Sequence, residues 1–171
     1  MSKHPYRVRS RLLHWAAAAL VLVTVISSGQ FGAESADQSA SQLATHLSFG
    51  LTLLLLMVVR VWWRTRTLDP LDAYTLPTPQ KVIARGLHFT LYVLLIAQCL
   101  LGLALSTLGE GGSFFGVITL PSIDFAADPP GWISEGHEAL SNLLLILIGL
   151  HILAAVGHLL FGVLPENEVS R

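Results

Sequence analysis

Residues 137–162 read HEALSNLLLILIGLHILAAVGHLLFG. A run this long and apolar suits a membrane-crossing helix, which needs about 20 apolar residues. Yet it holds His137, His151 and His158. An ionisable side chain at membrane depth is costly and marks a functional site by default. From His137 to His151 is close to four helical turns, so both side chains share one face, about 21 Å apart along the axis. His158 shares that face about 10 Å further on.

The rest of the chain carries the same signature. Of 171 residues, 53% are hydrophobic and 12% charged, with a mean hydropathy of +0.63. The charged share is about half that of an ordinary soluble domain. A net charge of −1 points to no nucleic-acid partner. The single Cys99 excludes an intramolecular disulfide and any cysteine metal cluster. Four stretches are long enough to span a bilayer: residues 12–29, 43–63, 82–105 and 136–164. In lipid each must be a helix, because its backbone polar groups have to find partners internally. The expected fold is an all-α membrane protein, a four-helix transmembrane bundle in a single domain over 1–171.

Charge orients the spans. With four crossings, Lys3, Arg7, Arg9, Arg11, Arg60, Arg64, Arg66, Lys81, Arg85 and Arg171 all fall on one side. The positive-inside rule makes that side cytoplasmic, with both termini inside and the chain in a bacterial inner membrane. Trp62 and Trp63 suit the interfacial aromatic belt there. A cleaved leader is the alternative for the first span, but it would discard His14 and the charge asymmetry. On the outer side lie loops at about 30–42 and 106–135. The longer one, with Gly111, Gly112, Pro121, Pro129 and Pro130, reads as irregular. Its Phe114, Phe115, Val117 and Ile118 suggest a lid over the bundle mouth. The inner loop, about 65–81, carries Pro70, Pro77 and Pro79.

Depth sorts the histidines. His14 and His88 lie toward the inner side, and His46 and His137 toward the outer. His151 reaches the inner half, and His158 lies near the inner edge. His4 stands in the polar N-terminal tail. His46 with His137 and His14 with His151 make two pairs, each able to clamp one planar cofactor. Pairing His14 with His158 is the alternative. A zinc or di-iron site would want closely spaced ligands and carboxylates, but Glu138 is the only acid inside the four spans. Haem iron needs just two axial ligands. Two helix-borne histidines fill both positions, which closes the iron to substrate and favours electron transfer. Gly50, one turn from His46, lets a flat ring approach the helix. Arg60 lies on the face of His46 about 21 Å deeper, where it meets an inner propionate or serves as a basic anchor.

These segments together resemble the prokaryotic cytochrome b561 family of di-haem membrane proteins. The resemblance rests on RLLHW, on THLSFG through MVVRVWWR, on GLHFTLYVLLIA and on GHEALSNLLLILIGLHILAAVGHLLF, with FFGVITLP similar to the family's outer loop. It implies two non-covalent b haems (iron protoporphyrin IX), with metal ligands His46 and His137 for one and His14 and His151 for the other. It further implies electron exchange between membrane ubiquinone and a partner such as a soluble periplasmic carrier. Some members oxidise superoxide at the outer face, and related cytochrome subunits anchor nickel hydrogenases and formate dehydrogenases. His88 and His158 are then candidates for a quinone site, or polar contacts between helices. Two departures stand out. Leu159 follows His158 where many relatives have a second histidine, and the tail GVLPENEVSR is acidic. The outer face carries Glu34, Asp37, Glu110, Asp124, Asp128, Glu135 and Glu138, with no Lys or Arg. Such a surface repels an anion like superoxide and suits a basic electron carrier. A cofactor-free histidine relay or transporter is the rival from another class.

Overall fold

A computed structural model describes residues 4–28, 36–67, 77–109, 111–123 and 130–160. It contains four helices, α1 (His4–Ile26), α2 (Ala36–Thr65), α3 (Thr78–Leu108) and α4 (Gly131–Leu160), and a short hairpin of β1 (Gly112–Phe114) and β2 (Ile118–Leu120). All four helices are long and apolar enough to cross a membrane. Even α1, with 23 residues, extends about 35 Å.

The helices begin and end further out than the apolar runs do. His4, expected in a tail, opens α1. Residues 36–42, expected in a loop, form the start of α2. Pro79 sits inside the first turn of α3 rather than in the connection, because a proline in that position gives up no helical hydrogen bond. Gly131 to Glu135 likewise join α4. Polar residues can extend a membrane helix past the hydrocarbon, where apolar content no longer marks its end. Glu34, Glu110, Asp124, Asp128, Lys3, Arg171 and the acidic tail lie outside the described residues.

Neighbouring helices run antiparallel. Trp63 Nε1 donates to Ser10 Oγ at 3.0 Å near one end of the α1–α2 pair, while Thr24 meets His46 near the other. Ala17, Leu53 and Met57 form the buried core where α1 meets α2, and Tyr92, Leu95, Ile96 and Cys99 of α3 pack against it. The small Ala17 permits that close approach, which matters where lipid supplies no hydrophobic drive between helices. Most other large apolar side chains, among them Ile146 and Leu153 of α4, face outward. They form the surface a bilayer would cover.

The described side chains divide the bundle into two ends. Arg9, Arg11, Arg64, Arg66, Lys81 and Arg85 occupy the basic end. The hairpin and the acids Glu135 and Glu138 occupy the other. At the basic end Arg66 lies over the Trp62 ring at 4.8 Å and Arg9 over Trp63 at 5.9 Å.

The hairpin replaces the irregular segment expected after α3. Gly112 pairs with Leu120, Ser113 with Thr119 and Phe114 with Ile118. The turn has positive φ at Phe115 (50°) and Gly116 (69°), and Val117 N–H donates to the Phe114 carbonyl at 3.0 Å. Phe114 pairs with Ile118, so residues 115–117 form a three-residue loop with two successive positive φ values. Phenylalanine is a costly residue there. Its surroundings hold it: Phe115 N–H donates to Ser48 Oγ at 2.7 Å, and its ring packs against Phe49 and Phe114. Ser48 is fully buried and donates in turn to the Ala44 carbonyl at 2.7 Å. The expected lid is therefore docked on α2 beside His46. Its outer edge differs from expectation, since Val117 and Ile118 point away from the bundle.

Candidate functional site

Two pairs of histidine rings face each other inside the bundle. At the hairpin end His46 of α2 and His137 of α4 have ring centres 6.2 Å apart. Toward the basic end His14 of α1 and His151 of α4 are 6.1 Å apart. One helix thus contributes a ring to each pair, because the spacing of His137 and His151 returns to the same face after four turns.

The separation is informative. An imidazole nitrogen binds a metal at about 2 Å and the ring centre lies about 1.2 Å behind it, so two rings on opposite sides of one ion have centres about 6.4 Å apart. Both pairs match that spacing. Hydrogen-bonded or stacked rings would sit closer, whereas edge-to-face rings, as both pairs are, have centres about 4.5–7 Å apart. Among the described residues no group of three or more His, Cys, Asp or Glu side chains could hold a metal ion. Two nitrogens per site cannot complete a zinc or di-iron shell, but they complete a metal that brings its own equatorial ligands.

The walls of the hairpin-end pair prepare it for such a partner. His46 Nδ1 lies 2.8 Å from the Thr24 carbonyl, which can only accept, so the ring proton is on Nδ1 and Nε2 keeps its lone pair. This is the usual way a protein fixes the tautomer of a metal-binding histidine. Thr24 is in the last turn of α1, where carbonyls lack helical partners. Across the site, Gln98 Nε2 donates to His137 Nε2 at 3.2 Å. Gln98 Oε1 and His137 Nδ1 are buried with no partner. Buried polar groups are nearly always satisfied, so this corner is built for one more contact. Gly102 of α3 makes the room: a Cβ there would come within 3.0 Å of His137 Cε1. Gly50, one turn from His46, has open space instead, and a Cβ there would meet nothing within 4 Å.

The basic-end pair has different neighbours. Arg60 Nη2 donates to His14 Nδ1 at 3.3 Å, and its guanidinium lies over the Tyr92 ring at 5.2 Å. Arg60, expected about 21 Å deeper than His46 and beside an inner propionate, stands at this second pair. His88 of α3 lies with its ring 5.1 Å from that of His151, so three histidines meet here. Trp15 packs edge-on to His14 at 5.6 Å. His158 is exposed in the last turn of α4.

Sequence reasoning did not single out Thr24, Gln98, Gly102, Tyr92 or Ser48. The Thr24 contact is made by main chain, and the others act across helix interfaces, where sequence spacing carries no information. A glycine in an apolar run, as at Gly102, was the only available cue.

The sequence pattern of prokaryotic cytochrome b561 matches residues 5–165. A probable superoxide oxidase CybB from Yersinia pestis is 29% identical over 161 residues, covering 93% of this chain and 90% of that protein. The cytochrome b561 homolog 1 of Escherichia coli (strain K12) is 30% identical over 149 residues, 85% of each chain. With four apolar helices, facing histidine pairs and a match along nearly its whole length, the chain belongs to the prokaryotic cytochrome b561 family and is an integral-membrane b-type cytochrome of electron transfer.

Proposed function

We propose that the chain holds two b haems, one between His46 and His137 and one between His14 and His151, and passes electrons between a partner at the hairpin end and ubiquinone in the membrane. The observation that carries this reading is the matched ring separation, 6.2 and 6.1 Å, at two levels of one bundle. A haem held by the two imidazoles of either pair would supply a one-electron couple.

The protein's own residues do the rest. α4 sets the distance between the levels through the spacing of His137 and His151. The Thr24 carbonyl holds His46 in the tautomer that presents Nε2. Gly50 leaves space for a flat ring beside His46, and Gly102 leaves space for the His137 ring. Arg60 provides a fixed cation at the second site, where it also suits an anionic propionate. The hairpin, held by Ser48, caps α2 near the His46 level. His88, against His151, and His158, at the basic end of α4, are the groups to meet a quinone and exchange its protons. The basic end faces the cytoplasm, with both termini inside. On that orientation the acidic hairpin end suits a basic soluble carrier.

A reduced-minus-oxidised absorption spectrum with a haem count tests this directly. Two haems per chain are expected, and a preparation that binds none sinks the proposal.

A second reading, superoxide oxidation coupled to quinone reduction, is favoured by the likeness to the protein named a probable superoxide oxidase. Exposed Glu135 and Glu138 at the hairpin end oppose it, because they repel an anion. It requires quinone reduction that depends on a superoxide source and stops when superoxide dismutase is added.

A further inference from the structure

The two histidine pairs have nearly equal spacing but opposite electrostatic surroundings. At the basic-end pair Arg60 stands 3.3 Å from His14 Nδ1. An arginine stays protonated in proteins, so this charge is fixed. At the hairpin-end pair the nearest oriented group is negative. His46 Nδ1 donates to the Thr24 carbonyl at 2.8 Å, and Ser27 Oγ donates to the same oxygen at 3.1 Å. That carbonyl is in the final turn of α1, where the helix macrodipole has its negative end. Glu138 follows His137 directly and Glu135 precedes it by two positions. Among the described residues every Lys and Arg lies toward the opposite end.

We propose that Arg60 and the Thr24 carbonyl set the two sites at different reduction potentials, the His14–His151 site above the His46–His137 site. This rests on the two-haem reading above. A site that gains an electron is stabilised by a nearby positive charge, the more so in a low-dielectric interior. Arg60 therefore favours the reduced state of the basic-end site. Coordination through Nε2 leaves the ring proton of His14 on Nδ1, so Arg60 then acts as a charge rather than as a hydrogen-bond donor. At the other site, a histidine that donates its Nδ1 proton to a carbonyl is a more basic ligand, which favours the oxidised state.

One electron then moves downhill from the hairpin end to the basic end. The first site is oxidised by one electron and the second is reduced by one. A one-electron donor at the hairpin end restores the first site. A quinone near the basic end takes two electrons from two such transfers, together with two protons, and becomes quinol. The same uneven placement of Lys and Arg that orients the chain in the membrane thus gives electron flow its direction.

Spectroscopic redox titration of the purified holoprotein tests the assignment without any turnover. The wild type is expected to show two one-electron steps. Arg60→Gln should lower the higher step by at least tenfold in its reduction equilibrium, which is about 59 mV for one electron, and leave the lower step in place. Arg60→Lys should restore most of the loss. His46→Ala should remove the lower step. If Arg60→Gln fails to hold both haems, Glu138→Gln carries the test: it should raise the lower step by less than tenfold and leave the higher unmoved. The proposal is overturned if Arg60→Gln shifts the lower step or neither, if His46→Ala removes the higher step, or if Glu138→Gln moves the higher step. A wild-type protein with one haem or none overturns the two-haem reading itself, before the question of order arises.

Discussion

The hairpin-end and basic-end histidine pairs have almost the same ring separation, 6.2 against 6.1 Å, yet share no kind of neighbour. The hairpin-end pair is framed by a main-chain carbonyl, a neutral amide and a glycine: Thr24, Gln98 and Gly102. Its geometry is tight, and its tautomer is set by backbone. The basic-end pair is framed by a guanidinium, an indole and a third imidazole: Arg60, Trp15 and His88. Its neighbours are charged or aromatic side chains. The comparison separates two tasks. Helix spacing makes the two ring pairs alike, and the surrounding residues make their electrostatic settings unlike.

The strongest way to break the comparison is to delete one ligand. His137→Ala should abolish the hairpin-end haem and keep the other, halving the haem-to-protein ratio. His151→Ala should do the converse. If His158→Ala, rather than His151→Ala, removes the second haem, the pairing of His14 is wrong.

A smaller but sharper effect is expected at Gly102. Its Cβ would already meet His137 Cε1 at 3.0 Å, so Gly102→Val must push the ring aside. Overpacking of this kind costs about 1–3 kcal/mol, or roughly fivefold to 150-fold in haem affinity at that site alone. Haem retention during dilution would measure it. Loss from both sites equally would contradict the local account.

Weaker still is Ser48→Ala, which leaves the Phe115 N–H of the hairpin without its acceptor. An unsatisfied buried donor costs about 1–3 kcal/mol, concentrated in the lid. Hydrogen exchange over residues 112–120 should rise while α2 is unchanged. Smallest is Trp63→Phe, which removes the bond to Ser10 at the basic end. It should cost about 1 kcal/mol of thermal stability and leave haem content unaltered.

How much was legible in the sequence differs between the two sites in the same way. The facing of His137 with His46 and of His151 with His14 follows from span direction and helical rise, both of which a sequence displays. So does the collection of basic residues at one end. Arg60 is legible as a basic residue about 21 Å deeper than His46, at the inner level, but helix rise gives depth along one axis and not the contacts with His14 and Tyr92 on neighbouring helices. Gly50 was singled out because it lies one turn from His46 on the same helix. Gly102 acts on His137 from another helix, at a separation that no period marks. The hairpin was missed for a different reason. A hairpin turn with positive φ usually announces itself with Asn-Gly or Asp-Gly, and here Phe115–Gly116 takes that place because Ser48 and Phe49 hold the phenylalanine in position. Tertiary contact overrode local preference, and a reading of short-range pattern cannot see it.

The central claim is that each of two sites is closed by two imidazoles. The ring planes meet at 85° in the hairpin-end pair and 72° in the basic-end pair. Imidazoles held near-perpendicular would leave a ferric haem between them low-spin with a strongly anisotropic magnetic response. Electron paramagnetic resonance of the oxidised, purified protein, with haem and protein quantified on the same sample, is therefore the most direct test. The account predicts two low-spin ferric haem signals per chain, both strongly anisotropic. A single signal, or a high-spin signal from iron with an open axial position, would contradict it.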